Sequence, residues 1–183
     1  NENVSDFQKI KLRQRVAIDM SNRTLETKMI GQKVAMPMAI APTGLTGMQR
    51  ADGEILAAQA AEEFGIPYTL STMSVCSIEA VAEKTKKPFW FQLYVMKDKK
   101  FMERLIDRAK AAKCSALVLT LDLQLLGQRH KDIRNGLSTP PKLVPKHIYQ
   151  VLTRPAWCMR MLTTKNHFFG NIVGHVAESF TGR

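Results

Sequence analysis

A chain of 183 residues with 45% hydrophobic and 23% charged side chains has the length and composition of one folded domain, not of a disordered segment. No apolar run of about 18 residues occurs, so a transmembrane helix is not expected. The net charge of +11 comes from scattered basic residues, and Lys97, Lys99, Lys100, Arg104, Arg108 and Lys110 alternate with Asp98, Glu103 and Asp107. That pattern reads as a solvated helix face laced with ion pairs, and argues against a nucleic-acid partner.

In chain order, the first segment reads as helical around Phe7 to Val16, and Thr24 to Met36 as a short hairpin with Gly31 in its turn. Met38-Ala39-Ile40-Ala41 is a short buried strand ending in Pro42-Thr43-Gly44. Asp52 to Phe64 reads as a helix offering Ile55, Leu56, Ala58, Ala60 and Ala61 for packing, stopped by Gly65. The cycle then repeats. Tyr68-Thr69-Leu70 is a strand, and Ser77 caps a helix carrying Ile78, Ala80, Val81 and Ala82. Phe89 to Leu93 is the next strand, followed by a helix from Asp98 to Lys113 with Phe101, Leu105, Ile106 and Ala109 on one face. Ala116 to Thr120 is the fourth strand. Strands at intervals of roughly 20 to 30 residues with helices between them imply an α/β protein of parallel βα units. Four units fit half of a (β/α)8 barrel or part of a doubly wound sheet. No GxGxxG or GxxxxGK[ST] is present to favour a nucleotide-binding form of the latter.

After Asp122 the rhythm fails. Residues 137–183 carry no clear strand and read as a long basic loop, with Lys142, Lys146, Arg154, Arg160, Lys165 and Arg183 against Glu178. Trp157, Met159, Met161, Leu162, Phe168 and Phe169 are interleaved. Basic and bulky apolar residues together suit a segment resting on an anionic membrane surface; a loop capping its own barrel fits as well. Cys76, Cys114 and Cys158 are far apart and match no zinc spacing, so we expect no metal site, a reducing cytoplasmic setting and packing roles for all three. The start at Asn1-Glu2-Asn3, without Met or signal peptide, and the end at Thr181-Gly182-Arg183 lead us to expect a fragment.

The ends of the strands carry the chemistry. Ala41-Pro42-Thr43-Gly44, Leu70-Ser71-Thr72, Phe91-Gln92-Leu93-Tyr94 and Thr120-Leu121-Asp122, followed by Gly127-Gln128-Arg129, place amide, phenol, hydroxyl and carboxylate groups where α/β enzymes collect ligands. In this order the motifs, with the stretches MPMAIAPTGLTGM, GIPYTLSTMSVCSIEAVA and PFWFQLYV, resemble the FMN-dependent α-hydroxy-acid oxidising family. The similarity runs from about Leu12 to Gly136, and the wording STMSVCSIE looks most like its respiratory lactate dehydrogenases.

The resemblance implies a (β/α)8 barrel of which residues 12–136 hold the first four units, preceded by the hairpin and followed by the loop. It implies FMN, with Ala41, Pro42 and Thr43 giving backbone to one flavin face and Ser71, Gln92 and Thr120 hydrogen-bonding its pyrimidine edge. Tyr94 would meet the substrate, Arg129 would hold its carboxylate as a bidentate pair, and Asp122 would stand behind a catalytic His. That His, in an HGGRQ-like motif, is absent; His130, His147, His167 and His175 all follow the fourth strand in the wrong context. The chain alone is therefore expected to be inactive. The implied reaction is oxidation of an L-2-hydroxy acid, L-lactate first, with electrons passed to a quinone or cytochrome by a peripheral, homo-oligomeric enzyme on the cytoplasmic face of the inner membrane. Alternatives are an oxygen-using glycolate or other 2-hydroxy-acid oxidase, an FMN-dependent isopentenyl diphosphate isomerase, and an inactive membrane-binding remnant.

Overall fold

A computed structural model describes residues 2–121, 127–135 and 145–174. Helix α1 spans Glu2–Lys9, with an acid in its first turn and Lys9 in its last, the arrangement that suits the helix dipole. It lies earlier than the helix expected over Phe7 to Val16, and the chain from Ile10 to Glu26 is irregular and exposed. Strands β1 (Thr27–Met29) and β2 (Gln32–Val34) form the expected antiparallel hairpin. Its two turn residues, Ile30 and Gly31, both have positive φ (47° and 76°), as a tight turn matching the strand twist requires.

The expected first strand at Met38 to Ala41 is reduced to a single bridge, Ile40 to Tyr68. Pro37 and Pro42 confine it to four residues, and neither proline can donate to a ladder. A one-turn helix α2 (Thr46–Gln49) follows, then α3 (Gly53–Phe64), which ends at Gly65 with φ 85°. Asp52 precedes α3 without capping it, and is itself left-handed with φ 56°.

Strand β3 (Thr69–Ser71), helix α4 (Ile78–Lys84), strand β4 (Trp90–Tyr94), helix α5 (Lys99–Ala111) and strand β5 (Ala116–Thr120) complete the α/β unit. Ser77 caps α4 by accepting from Ala80 N–H, and Asp98 caps α5 by accepting from Phe101 N–H. The sheet is parallel, in order β3-β4-β5, with Ser71 beside Gln92 and Tyr94 beside Thr120. Three full strands and a bridge thus stand where four strands were expected. No closed barrel exists among the described residues.

Paired residues in a parallel sheet share a face, so the register divides its chemistry. Leu70, Phe91 and Leu93 turn toward the helices and pack with Ile55, Ala58, Ile78, Val81, Phe101 and Leu105. Leu56 and Ala60, expected to pack, are exposed on the outer side of α3. Leu117 and Leu119 occupy the helix-side face of β5, yet are 46% and 51% exposed, because no described helix covers that end of the sheet. The other face carries Trp90, Gln92 and Tyr94 with Val118 and Thr120.

Beyond β5 come α6 (His130–Arg134), α7 (Pro145–Leu152) and α8 (Pro155–Thr163). The expectation of an irregular loop over residues 137–183 therefore fails for its described part, where Pro145 and Pro155 open two helices with their φ already set. Arg108 also departs from the expected solvated face. It lies between α5 and α4, donating from Nε and Nη2 to the two carboxylate oxygens of Glu79, both at 2.7 Å.

Hydrogen bonding from Arg108 pulls the Glu79 carboxyl down to about 2 from its ordinary 4.5. A depressed carboxyl adds stability that is present above its unfolded pKa and is lost as pH falls toward the folded one. Glu79 is more than half exposed, so solvent holds the gain to about 0.5–1 kcal/mol. Glu79→Gln is expected to melt below the parent by that amount at neutral pH, with the gap closing between pH 4.5 and about 2. Denaturation midpoints measured across that range check it; a gap that stays constant would contradict the assignment.

Candidate functional site

At the carboxyl ends of β3, β4 and β5 three polar side chains form one hydrogen-bonded row. Ser71 Oγ donates to Gln92 Oε1 at 3.3 Å, and Gln92 Nε2 donates to Thr120 Oγ1 at 2.7 Å. The backbone decides the polarity. Thr72 N–H also points at Gln92 Oε1, at 3.3 Å, and an N–H can only donate, so the amide cannot flip. Ser71 Oγ accepts from Met73 N–H at 3.1 Å, which turns its proton toward Gln92. Gln92 is 1% exposed. With the row oriented this way, its unspent hydrogens among the described residues are the second one on Gln92 Nε2 and the hydroxyl proton of Thr120. The site's open side is a donor edge.

Thr72 closes the row from behind. Its hydroxyl donates to the Gln92 carbonyl and accepts from Tyr94 N–H, locking the end of β3 to the end of β4. Tyr94 is half-buried, and its phenol makes no recorded hydrogen bond among the described residues.

The loop of residues 41–47 stands beside this row. Ala41, Pro42, Thr43 and Gly44 are exposed, so their backbone is available to a ligand. Two devices hold the loop. Leu45 N–H donates to the Met73 carbonyl at 3.1 Å, and the buried Glu54 carboxylate takes both Gly47 N–H and Val75 N–H on Oε1, each at 3.0 Å. Gly47 is required there, since a Cβ would stand 2.7 Å from that of Val75. Sequence reasoning overlooked Glu54 because a carboxylate in a helix ordinarily faces solvent.

Asp122 lies outside the described residues. Arg129 is exposed and pairs through Nε with Asp132 at 2.8 Å, three residues on, so the structure does not bring it to Tyr94 or Gln92. No group of acidic, His or Cys residues suited to a metal occurs among the described residues. Of the cysteines, Cys76 is fully buried and its thiol is pushed well up by burial; Cys114 is pushed up to about 11 by the same cause.

A family model described as FMN-dependent dehydrogenase matches residues 1–181. The chain belongs to this family. An L-lactate dehydrogenase of Vibrio parahaemolyticus serotype O3:K6 is 47% identical over 177 residues, covering 96% of this chain and 46% of that protein. One from Vibrio cholerae serotype O1 is 48% identical over 171 residues, covering 93% and 45%. The chain thus spans less than half the length of these relatives. Among solved structures, the monotopic membrane protein (S)-mandelate dehydrogenase superposes with a TM-score of 0.84 at 31% identity, covering 94% of this chain and 46% of that one. A mandelate oxidase mutant with (S)-mandelic acid gives 0.69 at 34% identity, covering 74% and 40%. These likenesses put the donor edge within the FMN-dependent dehydrogenase fold.

The hydrogen-bond row separates two kinds of residue. Gln92→Leu leaves the Ser71 O–H buried without its acceptor, while Thr72 N–H keeps the backbone carbonyl of residue 92 at 3.1 Å, and is expected to cost about 1–3 kcal/mol. Tyr94→Phe removes a phenol that holds nothing in the described structure, and is expected to stay within about 0.5 kcal/mol. Urea unfolding of both variants in the cofactor-free protein is the check; equal losses would show that the row is not what orders this end of the sheet.

Proposed function

We propose that the full-length protein carrying this chain binds FMN and oxidises an L-2-hydroxy acid, most readily L-lactate, to the 2-keto acid. The observation that carries this reading is the donor edge formed by Gln92 and Thr120 with its polarity fixed. The pyrimidine edge of a flavin alternates acceptors with a single donor, so an amide N–H and a hydroxyl suit it. Ser71, assigned to the cofactor by resemblance, works in this geometry through Gln92, since its proton is already committed to Oε1. Ala41, Pro42 and Thr43 lie with Gly44 on the exposed loop, where bare backbone suits the approach of a flat ring. When bound, FMN supplies the acceptor for the two electrons of the substrate.

The remaining roles follow from side-chain chemistry. The Tyr94 phenol is free to donate to the carboxylate or hydroxyl of a 2-hydroxy acid. Arg129 is the group suited to a carboxylate, and its exposed pair with Asp132 is the kind that exchanges at little cost. Asp122 would hold the tautomer of a His that this chain lacks and stabilise its charged form. The half-barrel reading extends naturally to a closed (β/α)8 barrel in the full-length protein. Arg129→Lys is expected to lower kcat/KM by roughly two orders of magnitude, the equivalent of about 2–5 kcal/mol for a desolvated charge pair. FMN content should be unchanged, and loss of flavin absorbance on purification would move Arg129 to the cofactor.

The segment after β5 supports peripheral membrane attachment. Ile148, Tyr149, Leu152, Met159, Leu162 and Phe168 are all more than half exposed on or just after α7 and α8, near Arg154, Arg160 and Lys165. Trp157, expected at the lipid, instead turns inward and donates from Nε1 to the Met48 carbonyl at 3.1 Å. No described helix is long and apolar enough to cross a bilayer, so the contact would lie in the interface and respond to salt. The first-described structural neighbour is a monotopic membrane protein. A respiratory electron acceptor in that membrane completes the reading. The Leu152→Glu/Leu162→Glu double variant of the full-length protein is expected to lose co-sedimentation with anionic vesicles while keeping its flavin. Undiminished binding would leave α7 and α8 as part of the barrel cap.

A further inference from the structure

Asn171 lies about a hundred residues beyond the strand it touches. Its side chain is fully buried and uses every hydrogen-bonding position it has. Oδ1 accepts from Ile78 N–H at 2.9 Å and from Arg108 Nη2 at 3.3 Å. Nδ2 donates to Ser74 Oγ at 2.9 Å and to the Ser71 carbonyl at 3.3 Å. The neighbouring backbone is pressed against the same turn. Gly170 N–H donates to the Val75 carbonyl at 3.1 Å, and a Cβ at Gly170 would stand 2.7 Å from both Val75 O and Ser77 N.

Ser71 is therefore held from two sides. Its hydroxyl is engaged by Met73 N–H and Gln92 Oε1, and its carbonyl by Asn171 together with Ser74 N–H. A shift of the Ser71 backbone moves the hydroxyl that orients Gln92, and with it the donor edge. We propose that Asn171 is a positioning residue of the flavin site, acting through Ser71 to hold the Gln92 amide in line, so that the segment after α8 is a working part of the cofactor cradle. The proposal rests on the FMN reading. It also explains why a buried amide, and not an apolar residue, fills this place: the start of α4 leaves the Ile78 N–H with no other acceptor among the described residues, and the Ser71 carbonyl, which already takes Ser74 N–H at 3.2 Å, has a second lone pair to fill.

The test uses the full-length protein stripped of cofactor, with FMN affinity read from quenching of flavin fluorescence and stability from urea unfolding. Asn171→Asp can still accept from Ile78 N–H and Arg108 but can donate neither to the Ser71 carbonyl nor to Ser74 Oγ. It is expected to bind FMN about tenfold more weakly, the equivalent of one lost buried hydrogen bond, and to alter the bound flavin's absorption bands. Its urea midpoint is expected to fall as well, since a buried carboxylate oxygen then faces the Ser71 carbonyl, so its affinity is read under conditions where the variant is folded. Gly170→Ala pushes the segment away without altering Asn171, and should reproduce the loss of affinity even if Asn171→Asp folds poorly. Ser74→Ala removes a partner of Asn171 but spares the Ser71 bond, and should leave FMN affinity unchanged. Parental affinity in Asn171→Asp and Gly170→Ala, or losses in all three variants that only track their stability, would overturn the proposal. A parent protein that does not bind FMN would overturn the functional reading as well, which separates the two failures.

Discussion

Thr72 N–H can donate but not accept, and much of the site depends on that asymmetry. It commits one end of the Gln92 amide, the other end must then donate, and Thr120 is left with its proton free. One backbone donor thus sets the polarity of a row that crosses three strands. Because Gln92 is buried, reversing it would place two donors face to face with no water to intervene, a cost of the order of an unmade buried hydrogen bond. The edge is oriented before any ligand arrives, and electrostatic recognition gains most from such preorganisation.

The loops around the row are held by buried polar groups, not by apolar contact. Glu54 gathers two N–H groups, from Gly47 and Val75. Asp52, which leaves the start of α3 uncapped, accepts instead from Thr164 Oγ1 and Asn166 Nδ2, both at 2.7 Å. With Trp157 on the Met48 carbonyl, these bonds root the segment after β5 on the sheet. The self-capping reading of that segment thus holds for part of it, and the membrane proposal concerns another part. Residues 164–171 cap the sheet, while α7 and α8 turn apolar side chains outward.

Two places in the described unit lack partners among the described residues. Leu117 and Leu119 lie uncovered on the helix side of β5, and the buried Trp90 Nε1 on the opposite face has no acceptor among the described residues.

What the sequence determined by itself is the local and periodic part. The βα rhythm from Tyr68 to Thr120, the caps at Ser77 and Asp98 and the stop at Gly65 follow from side-chain spacing and from backbone groups at helix ends, which neighbouring residues satisfy. The motif residues Ser71, Gln92 and Thr120 were legible through family resemblance, because each sits at a strand end fixed by the same periodicity. Tertiary structure alone decided the rest. Arg108 looked like one more cation on a charged helix, Asn171 like a polar residue in a basic loop, and Glu54 like a solvated carboxylate. Each role depends on at least one partner 21 to 100 residues away, which no local pattern encodes. The helices at Pro145 and Pro155 escaped notice for a different reason: each is short and opens on a proline, a residue that reads as loop in a basic, Pro-rich stretch.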